Sequence, residues 1–218
     1  MALAPDRFVI RRRMARRALI AGFAAAAAAS PAFAARAAPV VTILGDSITA
    51  GLGLPAAQAL PAQLGAALAR LSSPAVVRGA GVSGDTTADG LARLDFSVQP
   101  DTAVCLVALG GNDLLQGLDP KSVRANLDAI VRRLKARRIG VVVAGIAAPR
   151  AVGAAYAKDF GAVFPVVAHA EGALLYPDLL AGVGPALRQG DGLHPSAAGV
   201  KLIAAGLAPV VARALRSR

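Results

Sequence analysis
Four short segments of this chain carry groups that can act together on a carbonyl group. In Gly45-Asp46-Ser47-Ile48-Thr49 a serine follows directly on the apolar run Val40 to Leu44. A serine at the carboxyl end of a strand, where a helix opens, can serve as a nucleophile, and its own N–H favours an oxyanion nearby. The same tripeptide is equally good turn and N-cap chemistry. Its pattern is G-x-S-x-T, so the G-x-S-x-G elbow of α/β-hydrolases is not present. Near the C-terminus, Asp191-Gly192-Leu193-His194-Pro195 sets a carboxylate three residues before an imidazole. In one turn Asp191 can hold one ring nitrogen of His194 and leave the other free to take a proton from a serine. The other histidine, His169, falls late in a helical segment with only Glu171 as a neighbouring carboxylate, and it is assigned no role.

Two glycine-rich segments complete the set. Gly79-Ala80-Gly81-Val82-Ser83-Gly84 spells G-x-G-x-x-G, but a dinucleotide fold needs an acidic residue closing the next strand roughly 20 residues on. That strand closes in Ala108-Leu109, and Asp101 precedes it, so the dinucleotide reading fails. Gly84 is better used to bring a backbone N–H close to a reacting oxygen with no Cβ in the way. Gly110-Gly111-Asn112-Asp113 ends the next strand, and Asn112 can offer a side-chain amide donor there, although Asn after two glycines is also ordinary turn chemistry.

The elements that must position these groups are legible from periodicity. Apolar runs at Val40 to Leu44, Ala75 to Arg78, Thr102 to Leu109, Ile139 to Ile146 and Ala173 to Tyr176 read as buried strands. Helical spacing occupies Pro61 to Leu71, Thr87 to Asp95, Lys121 to Arg138 and Ala154 to Ala168, and a last helix opens near Pro195. Asp119-Pro120 supplies a cap and a first-turn proline, and Pro195 is expected to do the same job after His194. Strands buried on both faces need helices on both sides, so the expected architecture is a three-layer α/β/α sandwich around a five-stranded parallel, flavodoxin-like sheet. In such sheets ligands bind at the carboxyl ends of the strands, where the three polar loops converge.

Read together, Gly45-Asp46-Ser47, Gly84 within Ser83-Gly84-Asp85-Thr86, Gly110-x-Asn112-Asp113 and Asp191-x-x-His194 resemble the four blocks of the SGNH (GDSL) hydrolases. Ile43 to Ser47, Gly90-Leu91-Ala92-Arg93-Leu94 and Leu109 to Asp113 are similar in wording to the bacterial thioesterase I/lysophospholipase/arylesterase branch. One departure is Gly79, where that branch commonly has Asn, which leaves the support of the second block open. The resemblance implies a triad of Ser47, His194 and Asp191, with the oxyanion among the Ser47 and Gly84 N–H groups and the Asn112 amide. Each such donor is worth ~3 kcal/mol in the transition state. Asp46 and Asp113 are expected to fix loops, and Cys105 to be a small core residue. No cofactor or metal is implied. The expected function is an exported serine hydrolase cleaving acyl esters or thioesters. The alternatives are a carbohydrate O-acetyl esterase on the same scaffold, which an aromatic content of 4% without Trp disfavours, and a non-catalytic exported binding module.

The remaining composition bounds the context. Of 218 residues 56% are hydrophobic and 17% charged, which excludes disorder; one cysteine and two histidines exclude a disulfide framework and a Cys/His metal fold. Arg7, Arg11 to Arg13, Arg16 and Arg17 precede an uncharged run, Ala18 to Ala35, that ends in Ala32-Phe33-Ala34. This is a signal-peptide layout, with residues 1–34 removed and residues 35–218 forming one domain in the periplasm or secreted. Arg16-Arg17 resembles a twin-arginine signal, with Sec export as the alternative, and a start at Met14 would favour Sec. Without that leader 18 cations face 12 anions, net +6 rather than +11. The basic residues Arg124, Arg132, Arg133, Lys135, Arg137 and Arg138 have no interleaved aromatics, so a solvated helix face is expected, with no nucleic acid and at most a transient membrane contact. A monomer acting on a small or lipid-like acyl ester completes the expectation.

Overall fold
The computed structural model describes residues 37–217. The expected leader therefore lies outside the described residues. Five strands, β1 (Val40–Gly45), β2 (Val76–Gly81), β3 (Thr102–Ala108), β4 (Gly140–Ala144) and β5 (Leu174–Tyr176), form one parallel sheet in the order β2-β1-β3-β4-β5. Among the described residues eight α-helices accompany it: α1 (Ser47–Ala50), α2 (Leu60–Arg70), α3 (Thr87–Ala92), α4 (Leu94–Ser97), α5 (Gly111–Leu115), α6 (Pro120–Ala136), α7 (Ala154–Ala170) and α8 (Ala197–Arg216). Helix α2 packs with α8, and α6 with α3 and α7, so the sheet is covered on both sides and the three-layer α/β/α architecture holds. The strand order reverses between β1 and β3, and the crevice at their carboxyl ends is the topological switch point.

Burial on both faces holds for the three central strands. Every residue of β3 is buried, as are Val41 to Gly45 of β1 and Val141 to Ala144 of β4, and each such Val, Leu or Ile contributes roughly 1.5–3 kcal/mol. The two outer strands differ from expectation: β2 is half-exposed and β5 half-buried, because an edge strand has a neighbour on one side only. Strand β2 also runs past Arg78, with Gly79 and Gly81 paired to Ile43 and Gly45 in the ladder. A Cβ on Gly81 would stand 2.4 Å from the Ala50 nitrogen and 2.6 Å from the Asp46 carbonyl oxygen. The glycine therefore lets α1 lie against the strand end, and two glycines of the apparent dinucleotide motif are strand residues.

Helix boundaries follow their caps. Asp119 accepts from the Lys121 N–H at 3.0 Å ahead of Pro120, as the spacing predicts. The expected helix from Thr87 to Asp95 is two helices, α3 and α4, broken at Arg93. Helix α3 opens on a capping box between Thr86 and Asp89. The expectation for Pro195 is corrected: α8 is capped by Ser196, whose Oγ accepts from the Gly199 N–H at 3.3 Å. Pro195 stays outside the helix because it pairs with Arg188 and its carbonyl accepts from Gln189 Nε2 at 3.0 Å, closing the preceding loop. The basic face of α6 is exposed to solvent, with Arg124 pairing with Asp128 at 3.5 Å and Arg132 with Glu171 at 3.6 Å, and just past the helix Arg137 pairs with Asp95 at 3.6 Å. Cys105 is fully buried in β3, where burial pushes its thiol up to about 12, and His169 is exposed on the last turn of α7.

Candidate active site
At the end of β1 the chain turns directly into α1. The Asp46 side chain caps that helix by accepting from the Ile48 N–H at 3.0 Å, and Ser47 is its first residue. Asp46 is buried, and burial pushes its carboxyl up to about 6 against the opposing pull of the Ile48 N–H and of His194.

The loop ahead of α8 brings an imidazole onto that serine. His194 Nε2 lies 2.8 Å from Ser47 Oγ, across 147 residues of sequence. On its other side His194 Nδ1 lies 2.6 Å from Asp191 Oδ2. Asp191 Oδ1 accepts from the N–H groups of Leu193 at 2.8 Å and His194 at 3.0 Å, so the carboxylate is locked within its own turn. The imidazole contact first, and these two N–H groups next, draw Asp191 down to about 2. An ionised acceptor on Nδ1 places the ring proton there and leaves Nε2 as the acceptor for the serine hydroxyl. Gln189 fastens this loop to the turn after α1, with Nε2 donating to the Leu52 carbonyl at 2.8 Å and its N–H to the His194 carbonyl at 2.8 Å.

Gly84 and Asn112 line the same cavity as Ser47. Gly84 has φ +91°, and a Cβ added to it would meet nothing within 4 Å, so the left-handed backbone, rather than crowding, makes glycine the fitting residue. Asn112 lies in the first turn of α5 rather than in a plain loop, and its Nδ2 donates to the Asp85 carbonyl at 2.8 Å. That bond uses one amide hydrogen and orients the other. Asp113 is fully buried and takes the Thr87 N–H at 2.9 Å and the Thr87 hydroxyl at 2.6 Å, which ties α5 to α3. Asp46 and Asp113 thus do the loop-fixing work expected of them.

Sequence reasoning had no role for Arg93, although it sits in the quoted Gly90 to Leu94 segment. Its guanidinium reaches Asp85 at 2.5 Å and the carbonyls of Ala80 at 2.9 Å and Gly45 at 2.8 Å. A lone arginine between Leu91 and Leu94 is the only trace of this in the sequence. Thr87 and Gln189 left no trace at all, because nothing in their spacing shows what they reach.

Ser47, Gly84, Asn112 and His194 open on a common cavity of about 470 Å³ whose other walls include Leu114, Ile146, Ala148 and Leu180. Leu52, Leu115 and Leu193, at 48%, 61% and 40% exposure, stand at its rim. Among the described residues no group of three or more His, Cys, Asp or Glu side chains is gathered to hold a metal ion. A hydroxyl, an imidazole and a carboxylate in hydrogen-bonded sequence, set at a switch point, are an arrangement able to carry out the hydrolysis of an acyl ester.

The comparisons with known proteins agree with this class. The model of the GDSL-like lipase/acylhydrolase family matches residues 43–202. Esterase TesA of Pseudomonas aeruginosa is 38% identical over 165 residues, which are 74% of this chain and 82% of that protein. Thioesterase 1/protease 1/lysophospholipase L1 of Escherichia coli K12 is 36% identical over 167 residues, 75% of this chain and 79% of that protein. The crystal structure of AlinE4, an SGNH-hydrolase family esterase, matches with a TM-score of 0.69 and 41% identity, covering 82% of this chain and 97% of that one. The chain belongs to the GDSL-like lipase/acylhydrolase family. It is a carboxylic-ester hydrolase.

Proposed function
We propose that Ser47, His194 and Asp191 form the catalytic triad of this hydrolase, and that the N–H groups of Ser47 and Gly84 and the Asn112 amide receive the oxyanion. The observation that carries the reading is the continuous relay from Asp191 Oδ2 through His194 to Ser47 Oγ, with links of 2.6 and 2.8 Å. Ser47 Oγ attacks the acyl carbonyl while its proton passes to His194 Nε2. The tetrahedral oxyanion collapses, the C–O or C–S bond breaks, and His194 returns the proton to the leaving alcohol or thiol. Water then attacks the acyl-serine with His194 again as base, releasing the acid and restoring Ser47. Charge that develops only on the carbonyl oxygen is best met by fixed donors, each worth ~3 kcal/mol.

The cavity favours acyl substrates over sugars. Its lining is mainly aliphatic and, among the described residues, contains no Phe, Tyr or Trp ring on which a pyranose would stack, which argues against carbohydrate O-acetyl esterase activity. The names of the relatives, esterase and thioesterase/lysophospholipase, point the same way. The leader 1–34 supports export to the periplasm or beyond, with residues 35–218 as the mature monomeric enzyme. A fluorophosphonate probe should label Ser47, located by peptide mass, and a p-nitrophenyl acyl-ester panel should show turnover; labelling at another serine overturns the assignment. N-terminal sequencing of the exported product should begin at Ala35, whereas Met1 or Met14 on a cytoplasmic product overturns the export reading.

A further inference from the structure
Arg93 does not line the substrate cavity, yet it bonds to the segments that lead into Ser47 and into the Gly84 loop. Four of its five N–H donors are used: Nε to Asp85 Oδ2 at 2.5 Å, Nη1 to the Ala80 carbonyl and to Ser97 Oγ at 2.9 Å each, and Nη2 to the Gly45 carbonyl at 2.8 Å. Gly45 ends β1 two residues before Ser47. Ala80 lies on β2, which leads into the Gly84 loop, and Asp85 follows Gly84 directly. The Asp85 main-chain carbonyl in turn receives Asn112 Nδ2 at 2.8 Å. Gly84 N–H and the Asn112 amide are thus both referenced to one residue, and that residue is referenced through Arg93 to the strand carrying the nucleophile.

We propose that Arg93 is a positioning residue for the oxyanion donors, acting through Asp85 to keep the Gly84 N–H and the Asn112 amide in register with Ser47. The inference rests on the oxyanion-hole reading given above. The second block is supported by a guanidinium reaching in from the break between α3 and α4. A planar fork is required, because its three nitrogens must meet acceptors on three chain segments at once, which an ammonium cannot do. Misplacement of donors by about 1 Å is enough to cost ~10²-fold in rate.

The test is a double-mutant cycle with Asn112. Arg93→Ala should lower kcat by ~10- to 10²-fold with KM changed less than about twofold, and the affinity for a trifluoromethyl ketone transition-state analogue should fall by the same factor as kcat/KM. Arg93→Lys should not restore the rate, whereas added guanidinium should rescue Arg93→Ala in part. Because both act on the oxyanion donors, Arg93→Ala combined with Asn112→Ala should lose less than the product of the two single losses, the remainder coming from the misplaced Gly84 N–H. Asp85→Asn removes the ion pair while keeping the main-chain carbonyl, and should show the same pattern more weakly; it carries the test if Arg93→Ala does not fold. Multiplying effects in the double variant, or a lowered Tm with unchanged kcat, overturns the inference. If Asn112→Ala alone leaves kcat unchanged, it is the oxyanion-hole reading that fails, and this inference with it.

Discussion

The two arms proposed to meet at Ser47, one for acid-base chemistry and one for the oxyanion, are built in opposite ways. The acid-base arm is local. Asp191 and His194 are three residues apart, the carboxylate is held by N–H groups of its own turn, and Asp191 is 47% exposed against 14% for His194. The oxyanion arm is assembled from afar: Asn112 and Asp113 reach partners 27 and 26 residues away, and Arg93 reaches Gly45 across 48. Its ties are buried or half-buried. A local, exposed arm can lose its chemistry without loosening the fold, whereas the distant arm uses the same bonds for both.

Substitutions on each side test this contrast. The largest effect belongs to the shared residue: Ser47→Ala should lower kcat by ~10⁶-fold while leaving the thermal unfolding midpoint unchanged within experimental error. Retained activity would remove the nucleophile from both arms. Asp191→Asn should cost ~10⁴-fold in kcat by presenting the wrong imidazole tautomer, with only a small loss of stability in a urea titration at neutral pH, since the lowered Asp191 carboxyl is solvent-exposed. A clear fall in stability would show that the acid-base arm is not the detachable one. Asn112→Ala should lower kcat by ~10²- to 10³-fold with little change in KM. An increase in KM alone would make Asn112 a substrate-binding residue.

Asp113→Ala probes the other half of the contrast. It leaves the buried Thr87 N–H without its acceptor and should destabilise by about 3 kcal/mol, read from the denaturation midpoint. An undisturbed midpoint would mean that the distant arm does not depend on this tie. The smallest effect is a pH dependence beside the nucleophile. Asp46 titrates at about 6 in the folded protein against an ordinary 3.8, so the native state binds the proton more tightly than the unfolded chain. The stability it contributes is full below 3.8 and is lost as pH rises through about 6. Asp46→Asn keeps an acceptor for the Ile48 N–H, and should exceed the wild type by about 2 kcal/mol at pH 8 but not at pH 4. Parallel pH profiles for the two proteins would contradict that.

The same division governs what could be read in advance. The five strands, their parallel three-layer packing and the candidate residues Ser47, Asp191 and His194 were legible because each depends on short-range signals: apolar runs, turn residues and a three-residue spacing. The sites where expectation and structure part are those where a neighbour in space decides. Pro195 reads as a helix opening and instead closes a loop onto Arg188, and the glycines at 79 and 81 read as a phosphate loop but lie in β2 under Pro61 and α1.

By itself, then, the sequence determined the order of elements, the residues proposed as nucleophile, base and orienting acid, and the family to which the chain belongs, since residue type and local spacing suffice for each. Only the tertiary structure decided that Arg93 joins Gly45, Ala80 and Asp85, that Asn112 is aimed by the Asp85 carbonyl, and that the cavity beside Ser47 has an aliphatic lining. Those facts depend on which distant groups come within hydrogen-bonding or contact distance once the sheet and its helices have packed, and a spacing along the chain carries no measure of that distance.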